Sequence, residues 1–122
     1  MNTTHENRRV ALVTGAAGEL GRAICVRLAR DGLHIAAVDI DLATTQAFLQ
    51  QLQLAPGQSA VAVQADLGIP SSISEMVEQV GQRFGRIDVV VNNAAVNHRG
   101  SIYDFDVAKW DHMMAVNLRA PA

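Results

Sequence analysis

The sequence predicts an open, doubly wound α/β fold with a parallel sheet, and three observations carry that expectation. Apolar runs of strand length alternate with segments of helical period four times along the 122 residues. The first run, "RRVALVTG", ends directly in a turn holding Gly15, Gly18 and Gly21. A content of 49% hydrophobic and 18% charged residues suits one soluble globular unit, with no linker, repeat or low-complexity tract to divide it. The expected domain is residues 1–122, with 1–7 as a disordered tail.

Each element has its own signal. "RRVALVTG" is a continuous apolar run closed by glycine, which describes a strand covered on both faces. In "ELGRAICVRLARDG" the period changes: Leu20, Ile24 and Leu28 recur every four residues with Arg22, Arg27 and Arg30 elsewhere, a helix closing at Gly32. "HIAAVDI" is a second strand. "DLATTQAFLQQLQL" is a helix with Asp41 as N-cap and Pro56-Gly57 as stop. "SAVAVQADL" is the third strand. Ser72 and Glu75 have the spacing of a capping box ahead of Ile73, Met76, Val77, Val80 and Phe84, one apolar helix face. "RIDVVVNNAA" is the fourth strand, buried over residues 87–91. After "VNHRGSIYDF", Val107, Trp110, Met114 and Leu118 repeat at helical spacing and meet no stop signal before the chain ends, so the end looks cut.

Composition excludes several classes of partner. The formal net charge is −2 without blocks of like charge, so neither nucleic acid nor an anionic membrane has an electrostatic reason to bind. No apolar run reaches the length of a membrane span, and "MNTTHENRR" lacks an apolar signal core, which makes a cytoplasmic setting the expectation. Cys25 is the single cysteine, a small buried residue in "AICVRLA". His5, His34, His98 and His112 have no ligand spacing, and no metal is expected.

In a doubly wound sheet, ligands collect at the carboxyl ends of the strands, so the residues just after each strand carry the functional argument. The turn from Gly15 to Gly21 opens straight into a helix, aiming unpaired N–H groups and the helix dipole at one point that suits a pyrophosphate. Gly15 permits the tight turn, and Gly18 and Gly21 let ligand and sheet approach the backbone. Asp39, at the end of the second strand, stands where a carboxylate accepts hydrogen bonds from an adenosine ribose diol. A 2′-phosphate there would be repelled, and positions 38–42 hold no lysine or arginine to offset it. NAD is therefore expected over NADP.

"VTGAAGELGRAI", "VDID", "ADL", "FGRIDVVVNNAA" and "VNL", in this order, resemble the short-chain dehydrogenase/reductase family over the whole chain. The resemblance implies a Rossmann-type fold and hydride transfer between a nicotinamide and an alcohol or ketone. It places Asp66 and Leu67 at the adenine and Asn92, Asn93, Ala94 and Ala95 along the cofactor pocket. Asn117 matches the asparagine of the catalytic tetrad, and the helix around Trp110, Met113 and Met114 would pack against a second subunit of a homo-oligomer.

Three departures qualify it. Common members carry glycine where Glu19 stands; the pattern here, TGxxGxxG, is that of the extended, epimerase-like branch, in which Glu19 and Leu20 fall in the first helical turn with the Glu19 side chain directed away from the pyrophosphate. "NNAA" has Ala95 where glycine is usual. The catalytic tyrosine and lysine of the family stand four apart, whereas Tyr103 and Lys109, the one tyrosine and one lysine here, do not, and Ser101 precedes Asn117 rather than following it. The expectation is a cofactor-binding part without the serine and YxxxK residues. A nucleotide-binding or pairing module without redox chemistry and an extended-branch sugar epimerase or dehydratase are the alternatives. His98 and Arg99 are the candidates to meet substrate.

Overall fold

The computed structural model describes residues 7–96 and 106–121. Four strands and three helices alternate: β1 (Val10–Thr14), α1 (Glu19–Arg30), β2 (His34–Asp39), α2 (Leu42–Gln50), β3 (Ala60–Gln64), α3 (Pro70–Phe84) and β4 (Val89–Val91), followed by α4 (Val107–Met114) and a π-helical turn over Ala115–Arg119. The strands form one parallel sheet in the order β3-β2-β1-β4, with Val10 beside His34, Ile35 beside Ala60 and Ala11 beside Val89. The order reverses between β1 and β4, because the chain crosses from one edge of the sheet to the far side of its first strand. That reversal opens a crevice at the carboxyl ends of the strands.

Side chains alternate between faces along a strand, so each strand feeds two cores. Val10, Leu12, Ala36, Val38 and Val63 meet Met76 and Val80 of α3 on one face. Ala11, Val13, Ile35 and Ala37 meet Cys25 and Ala29 of α1 on the other, with Phe48 and Leu49 of α2 against them. β1 is buried throughout and β2 up to Val38. Burial raises the Cys25 thiol to about 11, which leaves it an apolar packing group rather than a nucleophile.

Several local expectations change. The buried stripe of α1 is Gly21, Cys25 and Ala29, small residues that let the helix lie close on the sheet; Ile24 and Leu28 flank it, and Leu20 is 65% exposed at the mouth of the crevice. Asp41 does cap α2, accepting from the Thr44 N–H at 3.1 Å. That helix ends at Gln50, well before Pro56-Gly57, because the Gln51 N–H turns back to Phe48 and the buried Gln58 amide fastens the following loop to the Ala29 and Leu33 carbonyls. Ser72 and Glu75 form no capping box. Pro70 occupies the first turn of α3, where its missing N–H costs nothing, so the helix starts earlier and the Ser72 hydroxyl accepts from the Asp66 N–H instead.

The fourth strand is shorter than residues 87–91: at Asp88 the N–H still reaches the Val10 carbonyl at 2.9 Å, but the Val10 N–H goes to the Asp88 carboxylate at 2.8 Å rather than to a backbone carbonyl. It is also not buried on both faces: among the described residues it is an edge of the sheet, and Val90 is 54% exposed. The apolar stripe of α4 likewise lacks cover among the described residues, with Val107, Trp110, Met114 and Leu118 exposed and Val116 the buried residue that follows. Residues 1–6 of the expected tail, and His98, Arg99, Ser101 and Tyr103, lie outside the described residues. No helix among the described residues is long and apolar enough to cross a membrane.

Candidate functional site

The turn after β1 is locked to the loop after β4. Thr14 Oγ1 accepts the N–H groups of Asn93 at 3.1 Å and Ala94 at 3.0 Å and donates to the Val91 carbonyl at 3.4 Å. The Asn93 side chain donates to the Gly15 carbonyl at 3.3 Å. Gly15 has φ +68, and a Cβ there would stand 2.9 Å from the Asn93 amide nitrogen and 3.0 Å from the Ala94 Cα. Both its backbone angle and its neighbours therefore require glycine.

Gly21 is glycine for another reason: a Cβ on it would fall on the Gly15 carbonyl oxygen. The helix thus rests on the turn that feeds it. Gly18 is different again, with ordinary extended angles and only the Gly15 oxygen, at 3.5 Å, near the place a methyl group would take. No side chain caps α1 at Gly18, and the first helical bond runs from Arg22 N–H to the Gly18 carbonyl, leaving the N–H groups of Glu19, Leu20 and Gly21 without helical acceptors. That donor set fits an anionic group such as a pyrophosphate.

Asp39 closes the second side. One of its carboxylate oxygens accepts the Ala17 N–H at 3.0 Å and the other the Asp41 N–H at 2.9 Å. The group is fixed by backbone on both oxygens, and each oxygen keeps acceptor capacity for a further donor. Asp66 is held comparably, accepting the Gly68 N–H at 2.9 Å, while the Arg119 guanidinium donates to the Gly68 carbonyl at 2.8 Å. This ties the β3–α3 loop to the end of the π-helical turn.

These groups surround one cavity of about 510 Å³. Gly15, Gly18, Glu19, Leu20, Gly21, Asp39, Asp66, Leu67, Asn93, Ala94 and Ala95 all line it. Glu19 is the first residue of α1 and forms part of the wall. Asn92 does not: it faces a separate apolar cavity of about 250 Å³ with Ile73, Met76 and Val90, because alternation along β4 sends it to the opposite face from Asn93. Val38, Ile40, Ala65, Val96, His112 and Val116 also line the main cavity, unanticipated by motif. Its charged lining residues are Glu19, Asp39 and Asp66, with neither lysine nor arginine among those described.

Asn117 is outside the cavity wall. Its side-chain oxygen accepts the Val96 N–H and its nitrogen donates to the Val96 carbonyl, both at 2.7 Å. The amide substitutes for a neighbouring strand, holding the chain where β4 has run out. It does so from within the π-helical turn, which displaces the helix by one residue at that point.

The model of the short chain dehydrogenase family matches residues 9–122. The chain is 35% identical over 111 residues to the (2S)-[(R)-hydroxy(phenyl)methyl]succinyl-CoA dehydrogenase subunit BbsD of Thauera aromatica, covering 91% of this chain and 44% of that protein. Among solved structures it is similar to a metagenomic short-chain oxidoreductase in complex with NADP, with a TM-score of 0.85 and 34% identity over 93% of this chain and 51% of that one. It is also similar to the 3-ketoacyl-(acyl-carrier-protein) reductase of Brucella melitensis complexed with NADH, with a TM-score of 0.82 and 29% identity over 93% of this chain and 45% of that one. The chain spans about half the length of the relatives it matches. Family model, sequence relatives and sheet order agree on one conclusion: the chain belongs to the short-chain dehydrogenase family.

Proposed function

We propose that the chain is the cofactor-binding part of an NAD-dependent oxidoreductase that moves a hydride between the nicotinamide and an alcohol or ketone. The observation that carries the reading is Asp39: a carboxylate oriented by two backbone N–H groups, at the end of β2, on a cavity with no basic side chain among its described lining. A ribose diol offers two donors to such a group, whereas a 2′-phosphate would bring like charge against it.

A bound dinucleotide supplies the hydride donor or acceptor. The residues of this chain bind and orient. The N–H groups of Glu19, Leu20 and Gly21 hold the pyrophosphate, with Gly15 and Gly18 leaving room for it. Asp39 takes the adenosine ribose, and Asp66 and Leu67 flank the adenine. Asn93, Ala94 and Ala95 support the nicotinamide side, kept in place by Thr14. Asn117 acts as a positioning residue, since both ends of its amide are engaged by Val96.

Proton transfer at the carbonyl oxygen requires a separate donor. It is assigned to the serine, tyrosine and lysine of the other half of the parent protein, because Tyr103 and Lys109 lack the family spacing. The exposed Trp110 and Met114 of α4 support assembly with a second subunit in that parent.

The test is turnover of the parent protein with NAD and a panel of primary and secondary alcohols, followed by nicotinamide absorbance. NADH formation that Asp39→Ala weakens through the KM for NAD supports the reading. Absence of nicotinamide binding by the parent sinks it.

A further inference from the structure

At the other end of the sheet, a concavity of about 580 Å³ opens among Arg8, His34, Gln58, Ser59, Arg83 and Phe84. Arg8 precedes β1, His34 opens β2, Ser59 precedes β3 and Arg83 lies in the last turn of α3. With β2 running its length between them, this rim stands roughly 15–20 Å from Asp39.

The side chains here are donors with few acceptors. Arg8 donates from one terminal nitrogen to the Gly32 carbonyl at 2.9 Å, and its Nε is buried without an acceptor. Arg83 lies over the Phe84 ring at 5.1 Å, an arrangement that holds the guanidinium and leaves its N–H edge unengaged. The Gln58 oxygen, in the same lining, accepts the Ala55 N–H at 2.9 Å rather than either arginine. His34 Nδ1 accepts the Ser59 N–H at 3.0 Å, and the ring stacks on Phe84. No carboxylate of the described residues lines the concavity, and the ion pairs of the described chain, Arg27–Asp31 and Arg86–Asp88, involve neither arginine.

Each arginine has a local reason to be where it is: a carbonyl partner for one, a helix C-terminus and an aromatic face for the other. Neither reason supplies counter-charge for two arginines that line one concavity. We propose that this concavity is a second anion site, taking a phosphate group, free or as a phosphomonoester, between Arg8 and Arg83. Guanidinium forks match phosphate oxygens two at a time, and a doubly charged anion balances the two cations. The space exceeds a bare phosphate and leaves room for an organic body beside it. The proposal is independent of the cofactor site.

The test is titration of the full chain with inorganic phosphate at constant ionic strength, following the Arg8 and Arg83 side-chain N–H signals by NMR. The Glu19 and Leu20 amide signals report any phosphate at the glycine turn, so the two ends are read separately. Saturable shifts at Arg8 and Arg83 are expected, weakened about tenfold or more in Arg8→Gln and in Arg83→Gln. Arg83 is exposed, so the second variant keeps the test valid if the first fails to fold. Shifts confined to Glu19 and Leu20, absence of saturation at the arginines, or unchanged affinity in Arg83→Gln would overturn the proposal. With glucose 6-phosphate as the phosphomonoester probe, tighter binding than inorganic phosphate at the same signals identifies the esterified source, and equal binding the free anion.

Discussion

Asp39 accepts the Ala17 N–H at 3.0 Å, so the carboxylate at the end of β2 is fastened to the glycine turn that follows β1. Two sequence signals that stand apart in the chain, the glycines and the acid, are thereby one structural unit. Anything bound at the helix N-terminus is within the reach of a carboxylate whose orientation is already fixed, which limits the ordering cost of binding.

The three glycines of the turn separate into packing and ligand roles. Gly21→Ala puts a methyl on the Gly15 carbonyl and is expected to destabilise the chain by about 1–3 kcal/mol, the range for forced overpacking. Gly18→Ala meets nothing closer than 3.5 Å and is expected to leave the melting temperature nearly unchanged while weakening dinucleotide binding. Denaturant unfolding and a binding isotherm on both variants check this; equal stability losses would contradict the division.

Thr14 serves two backbone N–H groups from a nearly buried position, at 4% exposure. Thr14→Val keeps the shape and removes the acceptor, leaving the Ala94 N–H unsatisfied at about 1–3 kcal/mol, while the Asn93 N–H keeps the Val91 carbonyl at 3.0 Å. Thr14→Ser retains the hydroxyl and is expected to recover most of that loss. A valine variant as stable as the serine variant would show that the lock between β1 and β4 carries no weight.

The Asn117 amide holds both backbone groups of Val96. Asn117→Ala is expected to cost about 1 kcal/mol in stability, since these groups are exposed to water. Hydrogen exchange at Val96 should rise well before that of β1. Unchanged Val96 protection would remove Asn117 from its positioning role.

Acid sensitivity follows from two carboxyls. The Arg86 guanidinium, and after it the Val10 N–H, hold Asp88 below the usual carboxylate range, and the Thr44 hydroxyl and N–H do the same for Asp41. Both bind protons more weakly in the folded than in the unfolded chain. Their contribution is therefore complete above the ordinary carboxylate pKa of about 4 and is lost as pH falls through the lowered folded values. The melting temperature is expected to drop below about pH 4, less steeply in Asp88→Asn. An identical acid slope in that variant would assign the effect elsewhere.

What could be read from sequence was local. Continuous apolar runs in β1 and β2, the glycine turn and Asp41 as a cap depend on neighbours in the chain, and each is found where its signal lies. The cavity wall was legible at the carboxyl ends of β2 and β3, where Asp39 and Asp66 stand, and less so after β4, where Asn92 turns to the other face. Groups that act across the fold were not: Thr14 with Asn93, Gln58 with Ala29 and Leu33, Arg119 with Gly68 and Asn117 with Val96 are polar pairs that no periodicity marks. Ser72 misled because Pro70 moves the start of α3, and Leu20 because an apolar residue at a ligand mouth has the same spacing as one in the core.

The central claim is that Asp39 selects the dinucleotide lacking a 2′-phosphate, and calorimetric titration of the chain with NADH and NADPH in one buffer tests it most directly. NADH is expected to bind more tightly by about 1–3 kcal/mol, the scale of a charge-assisted hydrogen-bond set, with the gap narrowed in Asp39→Ser. Equal or tighter binding of NADPH would contradict the account.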